Sequence, residues 1–166
     1  MTFGTGVKQS AFSISLFRKI PEIFEKMNHA TLAQRFIAEI WNDGLFEKLP
    51  HFLHPDFADH SLPPALSPDA AGLRKWIENT SASFRHHTVI EAQVTEGAHS
   101  MLQIRMELEH TGPWRDIGPT GIQVMTRGFR HFTFKDGKII AHQAVIDGQT
   151  IENALRQATH GCSVQK

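Results

Sequence analysis

Five side chains have the types that acid–base chemistry at neutral pH requires. They are His60, His110, Arg130, His142 and Asp147. A histidine titrates near neutral pH, so it can take a proton and give it back. A guanidinium stabilises negative charge that develops on oxygen, and a carboxylate can orient a histidine or act as a base. Together these types indicate catalysis of proton transfer, with His60 or His142 as the acid or base.

Each of these residues also has a structural interpretation, and the sequence leaves the choice open. His60 could bond only to nearby backbone, and His142 could be a satisfied core histidine. Arg130 could pair with an acid on a neighbouring strand, and His110 could fasten the loop that follows it. Asp147 could cap the last helix through a hydrogen bond to its first turn.

One stretch is rich in residue types that bind metals, but its pattern does not indicate a metal site. It contains His51, His54, Asp56, Asp59 and His60. The spacing matches no metal signature and prolines interrupt it. The chain also lacks a G-x-S-x-G nucleophile motif and a phosphate-binding glycine loop. We therefore expect neither a metal nor a cofactor.

Composition excludes several classes of partner. The chain has 166 residues, with 17 Lys plus Arg and 17 Asp plus Glu, so its formal net charge is zero. This balance gives no reason to expect nucleic acid or an anionic membrane as a partner. The one cysteine, Cys162, cannot form an intrachain disulfide, and no apolar run is long enough to span a bilayer. We expect a cytoplasmic protein.

The order of the predicted elements indicates one α+β domain over residues 29–158, with an extension at 1–28 and a tail at 159–166. Helical spacing and turn signals predict helices first, followed by an antiparallel sheet and a last helix. The predicted helices are Ala30–Asn42, Phe46–Leu53, one opening at Ser67–Asp69 and Gln149–Ala158. The predicted strands are Thr88–Thr95, Ser100–His110, Ile122–Phe134 and Lys138–Ile146, with an extended stretch at Asp56–Ser61.

Strand alternation predicts which side chains face the helices. Met106 and His110 fall on the apolar face of one strand, and Arg130 shares a face with Phe132 on the next. His142 shares a face with Ala144 on the last strand. Adding two tryptophans at helical core positions, the candidates for lining a substrate cavity are Trp41, Trp76, Met106, His110 and Phe132.

Several short motifs, in this order, resemble the SnoaL-like polyketide cyclase family of the nuclear transport factor 2-like superfamily. They are Trp41-Asn42-Asp43-Gly44, Pro55-Asp56-Phe57-Ala58-Asp59-His60-Ser61, Pro63-Pro64, His110-Thr111-Gly112, Gly118-Pro119-Thr120-Gly121 and Asp136-Gly137-Lys138-Ile139. The resemblance covers Met27 to Gln157. It implies a cone-shaped α+β barrel, also described as cystatin-like, in which a strongly curved, mostly antiparallel sheet wraps around the helices. It also implies a homodimer formed through the convex face of the sheet.

The resemblance implies a reaction too, although one residue of the pattern is missing. The family's cyclases close a ring by intramolecular aldol condensation, using a carboxylate on the last strand as base and no metal or cofactor. Aligned on Asp136–Ile139, that carboxylate falls on Ala144, and a pocket histidine falls on Arg130. We therefore expect an enzyme that acts on a hydrophobic carbonyl compound. Its class would be a cyclase, such as an ester cyclase, an isomerase or a lyase. Arg130 and His110 would donate to the oxyanion, and Asp147 would orient the histidine or replace the base.

Two alternatives remain on the same fold. One is a non-catalytic module that binds a small molecule or dimerises, which the loss of the acid at Ala144 favours. The other is a hydrolase that opens an epoxide or lactone with an activated water. That reaction calls for a relay of the Asp–Arg–Asp type, which the sequence does not place.

Overall fold

A computed structural model describes residues 29–161, so the predicted extension at 1–28 lies outside the described residues. Helix α1 is α-helical from residue 29 and continues as a π-helix over Phe36–Asn42. The Asp43 amide, for example, donates to the Ala38 carbonyl, five residues back, at 3.0 Å. The predicted helix is confirmed. Its wider final turns allow Phe36, Ile40 and Trp41 all to be buried.

The second predicted helix is shorter than expected. A 3₁₀ turn, Phe46–Lys48, leads into helix α2, Leu49–Phe52, and strand β1 then begins at Leu53 and runs to Asp59. Pro55 therefore lies inside a strand instead of ending a helix. Proline is tolerated there because β1 is an edge strand of the sheet. Its missing N–H therefore interrupts no hydrogen bonds between central strands.

Helix α3, Ala70–Ser83, begins directly after the predicted opening at Ser67–Asp69. Asp69 is its N-cap and accepts from the amides of Ala71 and Gly72, each at 3.0 Å. Pro68 precedes the cap, and its carbonyl accepts from the Asp59 amide at 2.7 Å. At the other end, the helix stops before Phe84, which is the first residue of the next strand.

Four further strands complete the sheet: β2 (Phe84–Glu96), β3 (His99–His110), β4 (Gln123–Lys135) and β5 (Lys138–Ile146). The order is β1-β5-β4-β3-β2, with antiparallel pairing from β2 to β5 as predicted. Strand β1 instead pairs in parallel with β5. The β4–β5 turn has φ of 51° at Asp136 and 72° at Gly137, as a type I′ hairpin requires.

The helices cover one face of this sheet, which confirms the α+β class. The predicted inward face of β3 is confirmed, since Leu102, Ile104 and Leu108 are buried. Helix α4, Gly148–Gly161, buries Ile151 and Leu155 and extends beyond the predicted end at residue 158. None of the helices between residues 29 and 161 is long and apolar enough to cross a membrane.

Gly72 allows α3 to pack closely on the loop that precedes it, so Gly72→Ala should destabilise the fold. A methyl group there would collide with the backbone carbonyl of Ser67, which has little freedom to move. We expect a loss of about 1–3 kcal/mol in the free energy of unfolding, measured by urea denaturation, although alanine is the better helix former. Gly118→Ala is the matched control, because a methyl group at Gly118 meets nothing within 4 Å. Equal stabilities of the two variants would contradict this account.

Candidate active site

A cavity of about 390 Å³ lies between the helices and the inner face of the sheet. Its buried lining includes Trp41 from α1, Asp59 from β1, Arg130 from β4 and His142 from β5. Its more exposed lining includes Trp76, which is 37% exposed although its helical position predicted burial. Polar groups that could do chemistry therefore lie at the closed end of the cavity, away from bulk water.

The closed end is built around a hydrogen bond between Asp59 and His142. The Asp59 Oδ2 lies 2.7 Å from the His142 Nδ1, and the two side chains are only 1% and 2% exposed. The parallel pairing of β1 with β5 places these two residues opposite each other in register. The other carboxylate oxygen, Oδ1, accepts from the Ser61 amide at 2.9 Å and from the Ser61 hydroxyl at 2.6 Å.

These contacts determine the charge of both groups. Burial alone would raise the pKa of the Asp59 carboxyl, but its hydrogen bonds from His142 and Ser61 outweigh burial and lower that pKa. Burial lowers the pKa of His142, and the nearby Arg130 charge adds to the effect, against the opposing hydrogen bond to Asp59. At neutral pH the carboxylate is therefore ionised and the imidazole is neutral. Since an ionised carboxylate only accepts, Nδ1 carries the proton and Nε2 carries the lone pair.

Arg130 lies on the Nε2 side of this imidazole. Its Nη1 is 3.4 Å from the His142 Nε2, and its guanidinium carbon is 3.6 Å from the centroid of a Trp41 ring. The side chain is 2% exposed, and burial lowers its pKa to about 10, so it stays protonated at neutral pH. The site thus combines an oriented neutral base with a cation in apolar surroundings.

The structure brings some of the predicted site residues together. Arg130, His142, Trp41, Trp76 and Met106 all line the cavity. Ala144 lines it too and is the register partner of Arg130 across the β4–β5 ladder. Phe132 is fully buried and stacks on the His142 ring, with centroids 4.9 Å apart, so it supports the imidazole from behind rather than lining the cavity.

Three other candidates lie outside the cavity lining. His60 is exposed, and its backbone amide donates to the His142 carbonyl at 2.9 Å. His110 is buried and accepts at Nδ1 from the Thr120 amide at 3.2 Å, so it fastens the loop before β4. The exposed Asp147 carboxylate accepts from the Thr150 amide and hydroxyl at 3.0 and 2.6 Å and caps α4.

Sequence reasoning missed the two residues that complete the site, Asp59 and Ser61. The sequence places Asp59 in a cluster of metal-binding residue types and in the Pro55–Ser61 motif, but assigns it no role beside a histidine. Residues 29–161 hold no group of three side chains placed to bind a metal. The available signal was the spacing of Asp59 and Ser61, because an aspartate commonly accepts hydrogen bonds from the residue two positions later. Its contact with His142 depends on the parallel β1–β5 pairing, which the predicted meander did not include.

A family model described as SnoaL-like polyketide cyclase matches residues 31–155. The match falls within the region that the short motifs had indicated, Met27 to Gln157. No curated protein matches the chain.

Several solved structures share the fold at low sequence identity. A proposed SnoaL-like polyketide cyclase from Jannaschia sp. CCS1 has a TM-score of 0.71 and 19% identity, covering 90% of this chain and 97% of that one. TsrD from Streptomyces laurentii has a TM-score of 0.69 and 21% identity, covering 78% and 96%. An LEH-like epoxide hydrolase from M. tuberculosis has a TM-score of 0.62 and 12% identity, covering 84% and 98%. The cone-shaped fold predicted from the motifs is confirmed.

The contacts of His142 predict its tautomer and its titration. We expect NMR of ¹⁵N-labelled histidine to show the proton on Nδ1, and the ring to stay neutral as the pH falls through about 6.5, the ordinary pKa of histidine. Asp59→Asn should abolish the strict preference for this tautomer, because an amide can donate as well as accept. His87, which is exposed on β2, serves as the reference histidine in the same spectra. Protonation of His142 above pH 7, or a proton on Nε2, would contradict the assignment.

Proposed function

The chain belongs to the SnoaL-like polyketide cyclase family, and from that premise we propose that it is a cofactor-independent enzyme acting by proton transfer on a hydrophobic, carbonyl-bearing small molecule. The observation that carries the proposal is the buried Asp59–His142 hydrogen bond, which keeps the proton on Nδ1 and makes the His142 Nε2 the basic atom, with only a long 3.4 Å contact from Arg130 to it. Enolisation requires a base in a fixed orientation and a cation that stabilises the negative charge on the enolate oxygen.

In the proposed reaction, the His142 Nε2 removes a proton from the carbon next to a carbonyl group. The electrons of that C–H bond form the enolate, and Arg130 stabilises the negative charge on its oxygen. Asp59 stabilises the imidazolium that results. In one outcome, the α-carbon of the enolate attacks a second carbonyl of the same molecule, and the imidazolium protonates the alkoxide that forms. In the other, a double bond conjugated with the enolate lets the imidazolium return the proton to the γ-carbon instead. The first outcome is cyclisation and the second is isomerisation, and neither requires an oxidant or a metal.

His142 supplies the base that Ala144 does not. The two residues share one face of β5, two positions apart, which is roughly 7 Å along a strand. With the base at His142, the small side chain of Ala144 leaves space directly across from Arg130. In this proposal the His142 imidazole acts as the base in place of the carboxylate, and its lowered pKa keeps it in the basic form at neutral pH.

The two alternatives remain open and are less well supported by the site. An epoxide or lactone hydrolase could use His142 to activate water, but Asp59 is the only acidic residue in the described cavity lining, so an Asp–Arg–Asp relay lacks its second acid. A non-catalytic binding module would not need an oriented base. The expected homodimer stays a prediction; the exposed apolar residues of the sheet that are available for it are Val94, Met101, Met125, Phe129 and Val145.

His142→Gln should abolish most of the proton transfer. We expect the rate of exchange of the acidic C–H proton of a β-keto ester in D₂O, followed by ¹H NMR, to fall about 10²- to 10⁴-fold. In the wild type, the rate should fall on the acid side only below about pH 6.5, because the pKa of His142 is lowered and only its neutral form is a base. His60→Gln is the control, since His60 is exposed and outside the cavity lining. An unchanged rate in His142→Gln, with circular dichroism showing the native fold, would remove this histidine from the mechanism.

A carboxylate introduced at Ala144 should partly restore the base that His142→Gln removes. We expect the double variant His142→Gln/Ala144→Asp to exchange the proton at least about tenfold faster than His142→Gln alone, because the new carboxylate would lie in the same cavity. The matched control is His142→Gln/Ala144→Asn, whose amide has a similar shape but is not a base. Equal rates in the aspartate and asparagine variants would show that a base at this position cannot reach the substrate.

A further inference from the structure

The cavity lining contains buried donors whose hydrogen-bonding capacity is unmet. Across the described residues, two buried side-chain nitrogens of the cavity lining have no hydrogen-bond partner: the Arg130 Nε and the Trp41 Nε1. Both groups donate and neither can accept. Neither nitrogen has an acceptor within the described residues, so a ligand that pairs with them must supply atoms, such as oxygens, that accept hydrogen bonds.

The two charges at the closed end differ in how many hydrogen bonds they make, although the Asp59 carboxylate also favours the charged form of Arg130 and raises its pKa against the larger effect of burial. The Asp59 carboxylate already accepts three hydrogen bonds, one from His142 and two from Ser61, so its charge is solvated by protein. Arg130 makes one long hydrogen bond, to the His142 Nε2 at 3.4 Å, and no acidic side chain in the described part of the chain lies within 4.0 Å of it. Its main support is the face of the Trp41 ring, which offers no acceptor oxygen.

Burying such an arginine destabilises the fold unless a hydrogen-bond acceptor pairs with its guanidinium. Burying a guanidinium with most of its N–H groups unpaired carries a large desolvation penalty, which a hydrogen-bonded anion offsets. The planar guanidinium matches a carboxylate, because two parallel N–H groups can donate to its two oxygens. The rest of the lining includes apolar residues, among them Phe84, Met106, Leu108 and Ile146, which suit the hydrocarbon part of such a ligand. It also includes polar residues, namely Ser61, Asn79, Thr80, Ser83 and Arg115.

We propose that the cavity contains a carboxylate-binding subsite at the Arg130 guanidinium, and that it binds apolar monocarboxylic acids in their ionised form. The subsite shares its cavity with the proposed function but does not require any proton transfer. It extends the chemistry from neutral carbonyl compounds to acids, which would enter as ligands in their own right.

The test compares an acid with its own ester. Binding of 2-naphthoate and of methyl 2-naphthoate to the full chain is measured by isothermal titration calorimetry at pH 7.5, in a buffer free of carboxylate and phosphate. The two probes have the same aromatic body, but only the acid carries a negative charge. We expect the acid to bind the wild type about 10- to 100-fold more tightly, as expected for a charge-assisted pair in a buried site. An ester that binds as tightly as the acid would overturn the proposal without any variant.

Variants then locate the subsite. Arg130→Met should remove the preference for the acid and leave ester binding within about threefold, and Arg130→Lys should keep only part of it because a lysine lacks the planar fork. The matched control is Arg127→Met, which removes an arginine of the same strand whose side chain is 71% exposed. A preference that survives Arg130→Met would place the anion elsewhere and overturn the assignment.

The same measurements separate this proposal from the proposed function. His142→Gln should keep the preference for 2-naphthoate while losing proton exchange, because the imidazole is not a cation at pH 7.5. If exchange depends on His142 but the acid and the ester bind equally, only the subsite is wrong. If the preference holds but exchange is unaffected by His142→Gln, the subsite stands and the catalytic proposal falls.

Discussion

The buried hydrogen bond between Asp59 and His142 is the interaction on which the rest of the site depends. It joins the edge strand β1 to β5, and it determines which imidazole nitrogen faces the cavity. Removing either partner would leave a polar group buried without its match, which costs far more than the net value of an ordinary hydrogen bond. Ser61 completes the arrangement, because its two hydrogen bonds let the carboxylate remain ionised where water does not reach.

Arg130 is the cationic part of the same site, and among the described residues it is held by packing rather than by a direct ion pair. The π-helical end of α1 places Trp41 where its ring lies against the guanidinium. Widened helical turns of this kind are uncommon and are frequently found at functional sites. The chain thus gives up regular helix geometry at the point where α1 meets the cavity, and in return an aromatic face supports a buried cation.

Local sequence signals predicted most of the elements, and long-range pairing explains most of what they missed. Alternation located β3, β4 and β5 almost to the residue, and placed Arg130 and His142 on inward faces. The sequence predicts a helix where β1 begins, because Leu49–Leu53 has helical spacing and Pro55 is typical of a helix end. Burial and strand position, which local sequence does not give, decide the outcome. The role of Asp59 could not be predicted for the same reason: its partner is 83 residues away, and no local pattern encodes that contact.

That separation has a consequence for how the protein is made. A ribosome synthesises the strands in order, and β5 is the last of them, so Asp59 leaves the exit tunnel long before His142 exists. Until then neither the Asp59 carboxylate nor Arg130 has the imidazole that lies beside it in the complete fold. The site is therefore complete only when the sheet is complete, and a truncated or half-folded chain cannot contain a partly working version of it.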